Sequence, residues 1–294
     1  MSTEHPIAGG LPPQVVVNAA QLVRNGKQFS LAVPRFPGMP LFAGHPPFQV
    51  MSYRTPQGIR QSGAEPWGPG NDIELGYMCE LVIGTSHSGA HVDALAHMTV
   101  GTPGRWYGDA NAENDLGDFG PTHGDASELP PFFTRGVLLD AAGWMGVESL
   151  PGGHALTADD LREIARSQGV EVRKWDVVLI RTGLLAHWPD EELLARHRGA
   201  GPDISAARWL SSVGVIATGS DTETYEVQPA PDRGVPSNPQ PVHTHLLIDE
   251  GIYLFESLYL EELAAAGVHE FLFVALPVKI TGATGSMLDP LAVT

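Results

Sequence analysis

Asp176-Val-Val-Leu-Ile-Arg-Thr182, read together with the earlier Gly136-Val-Leu-Leu-Asp-Ala141, decides the fold class of this chain. Both are short apolar runs bounded by turn or charged residues, as expected of strands buried on both faces. Between them the pattern predicts a helix. Thr157 is placed to cap it, and Asp160 at the third helical position is a shortened capping-box acid. Leu161, Ile164 and Ala165 form one apolar stripe, and Gly169 is a natural stop. Strand, helix, strand favours a crossover between parallel neighbours, so at least one parallel pair is expected.

The same alternation continues towards the C-terminus. Residues 204–210 (ISAARWL) suit a helix, 213–218 a strand, 258–266 a helix with apolar Leu260, Leu263 and Ala264, and 271–276 (FLFVAL) a strand. Towards the N-terminus, 73–84 (IELGYMCELVIG) has strand composition, while 101–134 reads as loop. Residues 1–70 are punctuated by Pro34, Pro37, Gly38, Pro40, Gly44, Pro46 and Pro47 and read as loops with edge strands. No repeat, low-complexity tract or linker interrupts the 294 residues, and the 34 Gly and 25 Pro disfavour a helical bundle. The expectation is one α/β domain with a mixed sheet over residues 31–294, preceded by an N-terminal arm at 1–30.

Composition bounds the partners. With 17 Lys+Arg against 34 Asp+Glu, the net charge of −17 opposes both nucleic acid and an anionic membrane surface. No run approaches the roughly 20 apolar residues of a membrane span, and MSTEHPIAGGLPPQ lacks a basic and then apolar leader. A cytoplasmic protein is expected. Cys79 is the single cysteine, so no intramolecular disulfide or thiolate metal site is available. Its place in a predicted apolar strand suggests a buried, inert thiol. Neither Ser86 nor Ser88 sits in a Gly-x-Ser-x-Gly elbow. Any metal must therefore use nitrogen and oxygen.

The most informative of the 12 histidines lie in His87-Ser-Gly-Ala-His91-Val-Asp93-Ala-Leu-Ala-His97. His91 and Asp93 would share one side of an extended segment, whereas His87 and His91 would share one face of a helix. Imidazoles with a carboxylate suit Zn²⁺ or Mn²⁺ better than Cu(I) or Ca²⁺. The competing reading is a set of solvated histidines, or core histidines satisfied by backbone carbonyls. Against it, Asp93 precedes an apolar Ala-Leu-Ala stretch, where a buried carboxylate is costly without a cation. Downstream, His243-Thr-His245 and Glu256 form a second pairing, although Glu256 also suits the start of the following helix.

The spacing resembles the His-x-Gly-Thr-His-x-Asp-x-Pro-x-His signature of the metal-dependent cyclase family, which includes bacterial kynurenine formamidases and isatin hydrolases. Ala90 stands for the signature Thr and Leu95 for the Pro. Further landmarks run from about Leu31 to Val293: Pro40-Leu-Phe42-Ala-Gly44-His45, Gly219-Ser-Asp221-Thr, and Lys279-Ile-Thr-Gly282-Ala-Thr-Gly285-Ser.

The resemblance implies a swivelling β/β/α fold and one or two divalent ions. His87, His91 and Asp93 would bind the first, and Asp93, His243 and Glu256 a second where one exists, with His245 as the substitute for His243. It implies that His97 transfers protons and that Phe42 contacts substrate; Trp67 and Trp106 are further candidates for an apolar wall. The expected activity is metal-assisted hydrolysis of a cyclic amide, lactone or N-acyl bond in a small, planar or cyclic substrate. A polyketide-type cyclase or dehydratase with the same site and an inactive metal-dependent binding protein are the alternatives. The resemblance also implies a homo-oligomer.

Overall fold

The structure, a computed structural model, describes residues 10–64 and 66–294. The first half of the chain contributes α1 (Pro13–Ala20), β1 (Gln28–Ser30), β2 (Gln49–Arg54), α2 (Pro56–Ser62), β3 (Cys79–Ile83) and β4 (His91–Asp93). Next come β5 (Leu116–Gly117), β6 (Gly120–Pro121), β7 (Phe132–Asp140), α3 (Ala141–Met145), β8 (Ala155–Leu156) and α4 (Ala158–Ser167). Then follow β9 (Val177–Arg181), α5 (Glu191–His197), β10 (Gly201–Pro202), α6 (Ile204–Val213), β11 (Ala217–Ser220) and α7 (Pro241–His243). A π-helical turn (Thr244–Glu250) leads to β12 (Tyr253–Glu256), α8 (Glu261–Ala265), β13 (Glu270–Ala275), β14 (Gly285–Met287) and β15 (Leu291–Val293).

Among the described residues, nine strands form one mixed sheet in the order β1-β15-β13-β7-β9-β11-β12-β4-β14. Its centre is parallel, β7 beside β9 beside β11 beside β12, as the strand–helix–strand pattern requires. Antiparallel strands extend it on both sides. All five residues of β9 are buried. The helix between β7 and β9 forms as its sequence dictates. Thr157 accepts the Asp160 N–H at 3.2 Å, Asp160 accepts the Thr157 N–H at 2.8 Å, and Leu161 and Ile164 are fully buried. The mixed-sheet α/β single domain is therefore the observed architecture.

Several local expectations are corrected. The Pro-rich start contains two helices, α1 with Pro13 and α2 with Pro56 at their first helical positions, where a missing N–H is harmless. α1 lies against β7, and β1 forms one edge of the main sheet. The strand expected at 213–218 starts only at Ala217, because α6 continues to Val213 before Gly214 turns left-handed. Of the run 73–84 only Cys79–Ile83 is strand, pairing with β2 outside the main sheet, and every residue in it is exposed. Cys79 is thus an exposed thiol, not a buried one. Among the described residues no helix is long and apolar enough to cross a membrane.

Candidate metal centre

β4 is only three residues long, wedged antiparallel between β12 and β14. Strand alternation puts His91 and Asp93 on one face and sends Val92, fully buried, to the other. Glu256 lies directly opposite His91 in the register, which places its carboxylate on the same face. His91 Nε2 is 3.3 Å from Glu256 Oε2 and 3.5 Å from Asp93 Oδ1.

A tight turn before β4 delivers His87. Ser88 Oγ donates to Thr85 O at 2.9 Å, and Gly89 takes a φ of +61°, a left-handed conformation that favours glycine. His87 Nδ1 lies 2.9 Å from Asp93 Oδ1, and its Nε2 lies 3.2 Å from Thr284 Oγ1. His97 follows in a turn closed by its own N–H to Ala94 O at 2.9 Å, and its ring lies 4.2 Å from that of His87. His243 arrives from α7. Its Nε2 is 3.2 Å from Glu256 Oε1 and its Nδ1 is 2.5 Å from Glu226 Oε1.

The structure thus brings together His87, His91, Asp93, His97, His243 and Glu256. Among the described residues, two groups have ligand atoms close enough to hold an ion: His87, Asp93 and His97, and His91, Asp93 and Glu256. Asp93 belongs to both. Two atoms carry the fit of a cation, since His91 Nε2 and Asp93 Oδ2 are buried without a hydrogen-bond partner. Nature rarely leaves such atoms unpaired in a core. His91 Nδ1–H donates to Gly89 O at 2.7 Å, which leaves the Nε2 lone pair free towards the carboxylates. A nitrogen and oxygen donor set of this kind suits Zn²⁺ or Mn²⁺.

Electrostatics describe the same cluster. Burial drives the His243 imidazole towards neutrality, but Glu226 and Glu256 outweigh it and hold the group up to about 10. His91 is raised in the same way, against its burial, by Glu256 and Asp93. Burial and Asp93 both disfavour ionised Glu256, yet His243 and His91 keep it below its usual value. Asp93 is held far below the carboxylate range by His97, His87 and His91 in spite of burial. His97 is different. Burial lowers it to about 4, only partly opposed by Asp93, so it is neutral at pH 7 and has a lone pair to offer.

The remaining expected residues are placed as follows. Phe42 is partly exposed, and its ring meets His45 edge-on at 5.8 Å, with His45 in turn 6.0 Å from His87, so Phe42 stands at the mouth of the cluster. His245 faces away and pairs with Ser211 Oγ at 2.9 Å, which leaves His243 as the inward residue. Trp106 is buried and donates to His123 O at 3.0 Å, a packing role. Trp67 packs on Tyr77 and donates to Leu75 O in an exposed segment. Asp221 accepts from the Thr182 N–H and hydroxyl and the Gly183 N–H, fastening the loop after β9.

Sequence reasoning gave no role to four residues that shape the site. Glu226 also accepts the N–H groups of Val242 and His243, capping the turn that presents His243. Gly285 is required by contact, because a Cβ there would lie 2.5 Å from His87 Cε1. Arg35 binds the carbonyls of Ser88, Ala90 and Leu288. His45 was quoted within a motif without a role, and its Nδ1 is buried and unpartnered. Glu-x-x-Glu before a Pro-rich loop and a Gly closing a Gly-rich run are the faint signals for the first two.

Comparison with known proteins bears on the family and the fold. Residues 29–227 match the family model described as "Putative cyclase". No curated protein sequence matches the chain. Among solved structures, a novel cyclase superposes with a TM-score of 0.83 at 27% identity, covering 98% of this chain and 95% of its own. Isatin hydrolase A from Labrenzia aggregata, bound to benzyl benzoate, gives 0.65 at 21% identity over 96% and 98%. Isatin hydrolase A from Ralstonia solanacearum gives 0.66 at 21% identity over the full length of both. At these last identities the likeness is one of fold.

Proposed function

Because the chain belongs to the Putative cyclase family, we propose that it is a metal-dependent hydrolase that opens a cyclic amide or lactone, or cleaves an N-acyl bond, in a small planar substrate. The observation that carries the reading is the pair of buried, unpartnered atoms, His91 Nε2 and Asp93 Oδ2, facing Glu256. Two of the structures that share the fold are named isatin hydrolases, which supports a cyclic-amide substrate class.

His87, His91 and Asp93, with His243 and Glu256 beside them, would hold one or two ions of Zn²⁺ or Mn²⁺. When bound, such an ion supplies Lewis acidity and activates water at neutral pH. The side chains do the rest. Asp93 and Glu256 balance the charge of the cation, and Glu226 fixes the His243 ring so that Nε2 points inward. His97, neutral at pH 7, takes the proton from the attacking water and returns it to the leaving atom, work worth on the order of a hundred- to ten-thousandfold in rate. Phe42, at the mouth, offers an apolar face to a flat ring.

Elemental analysis of protein purified without added metal tests the ligands. Wild type is expected to carry Zn or Mn, and His91→Ala and Asp93→Ala to lose it; full occupancy in both variants overturns the site. His97→Ala should keep the metal and lose turnover on a panel of lactams, lactones and N-formyl aromatics. Product formed in H₂¹⁸O should carry the label. Unlabelled product excludes hydrolysis and points to an intramolecular cyclisation at the same site.

A further inference from the structure

The turn 42–45 holds two rings side by side at the entrance to the cluster. His45 N–H donates to Phe42 O at 3.2 Å, and Gly44 takes a φ of +98°, a left-handed conformation that glycine enters without strain. The turn sets the rings of Phe42 and His45 edge to face, 5.8 Å between centroids at 66°. His45 is also tilted over His87, 6.0 Å away at 41°. Its imidazole thus stands between the apolar mouth and the metal cluster.

His45 Nδ1 is buried and has no hydrogen-bond partner among the described residues. A cation does not account for it, since neither group of ligand atoms close enough to hold an ion includes His45. The neighbouring imidazoles are engaged elsewhere: His87 Nδ1 meets Asp93, His91 Nδ1–H meets Gly89 O, and both nitrogens of His243 meet carboxylates. Burial, with His87 and His91 beside it, lowers the His45 imidazole against the pull of Glu256 and Asp93, so the ring is neutral at pH 7. A neutral ring carries one proton. The ring is only half-buried, so water satisfies Nε2–H on its outer side, the ordinary tautomer of imidazole. The inner nitrogen then keeps its lone pair and is an acceptor aimed at a donor from outside the protein.

We propose that His45 Nδ1 accepts the N–H of a cyclic secondary amide, so that this site selects N–H lactams over lactones and N-alkylated amides. Ring closure holds an amide N–H and C=O on one edge of the ring, in its plane. A flat ring resting on Phe42 turns that edge inward, with the carbonyl towards the cluster and the N–H towards His45. A lactone brings an oxygen lone pair to the same place, and an N-alkyl group brings carbon. Either leaves the buried acceptor unpaired, which is how a site built to bind an N–H rejects analogues without one. The contact also orients the leaving nitrogen: its N–H stays on His45 while its lone pair takes the proton that His97 returns as the C–N bond breaks. Both rings flank His87, His97 at 4.2 Å and His45 at 6.0 Å. The inference rests on the proposed hydrolysis and names the bond on which it acts.

The test compares isatin with N-methylisatin, and 2-oxindole with benzofuran-2-one, on wild type, His45→Leu and His45→Asn. Leu keeps the bulk and removes the acceptor, whereas Asn restores one, because its Oδ1 falls near the place of Nδ1. Circular dichroism and elemental analysis should show all three proteins folded with equal metal. In kcat/KM, wild type should favour the N–H member of each pair, His45→Leu should shrink that preference about 10–100-fold, and His45→Asn should recover most of it. Nitrogen NMR of histidine-labelled protein with Zn²⁺ added gives a readout without turnover, in which His45 Nδ1 should carry no proton. An equal preference in wild type and His45→Leu, a wild type that turns over only the lactone, a proton on Nδ1, or loss of metal in His45→Leu overturns the inference and leaves hydrolysis standing. A metal-loaded wild type that turns over none of the four probes counts against the hydrolase reading itself, and the inference falls with it.

Discussion

Replacing Arg35 with Met should loosen the turn on which the metal centre depends. The guanidinium donates from Nε to Ser88 O at 2.8 Å and from Nη2 to Ala90 O at 2.5 Å and Leu288 O at 2.9 Å. It holds both flanks of Gly89, leaving the Gly89 carbonyl to His91 Nδ1–H. In Arg35→Met, Ala90 O keeps a second donor, the Leu288 N–H at 3.1 Å. Ser88 O and Leu288 O lose their partner in a buried setting. Each orphaned acceptor costs about 1–3 kcal/mol, giving roughly 2–6 kcal/mol for the pair.

Part of that is returned, because burying the guanidinium is itself unfavourable. Burial lowers its pKa, with Asp289 only partly opposing. The net expectation is a loss of about 3 kcal/mol. Urea unfolding of chelator-treated protein measures it as a shift in midpoint at constant slope. Metal retention against a competing chelator should fall as well, since the freed turn carries His87 and His91. A stability change below about 0.5 kcal/mol, the ordinary scatter of surface substitutions, with unchanged metal affinity, would refute the clamp.

Glu226→Gln should weaken metal retention by about 10–100-fold while leaving the fold intact, because it removes the carboxylate that orients His243; chelator competition reads the change, and an unaltered affinity would count against the orienting role. Gly285→Ala should displace the His87 ring, which would otherwise meet the new methyl at 2.5 Å, and so lower metal content in elemental analysis with little change in circular dichroism. Asp221 supplies a pH test outside the cluster. Burial, against the donors of Thr182 and Gly183, raises its carboxyl from 3.8 to about 6. A raised acid favours the folded state most when protonated, so this contribution is full below pH 3.8 and is lost as pH rises through about 6, a difference of about 3 kcal/mol. Stability curves of wild type and Asp221→Asn should run parallel below about pH 3.8 and above about 6 and differ in slope only between them; parallel curves throughout would dismiss the linkage.

Elements whose signals are local were readable from sequence. The α4 capping box and the buried run of β9 depend on neighbours within a few residues, and both formed as expected. The cluster His87–His97 was likewise compressed into one segment. What escaped reading depends on distant contact. Glu226 meets His243 across a Pro-rich loop, and Arg35 reaches Leu288 from the other end of the chain. The run 73–84 failed for another reason. Its apolar content was read as burial within the domain, whereas the structure leaves it in solvent, and composition cannot say which surface an apolar strand is for.

The short strand β4 has a consequence for the order of events in this molecule's life. On the proposed metal reading, its His91 and Asp93 make no complete site until β12 brings Glu256 and β14 brings the bare Gly285 against His87, with Thr284 beside it. The segment 87–97 alone, emerging from the ribosome with three imidazoles and a carboxylate, would compete for any passing ion without geometry to select one. By that reading, selectivity would come only once the C-terminal strands dock. On the proposed metal reading, an ion held there would tie β4 to β12 near the far edge of the sheet and oppose fraying at that edge, so loading would mark the molecule as finished.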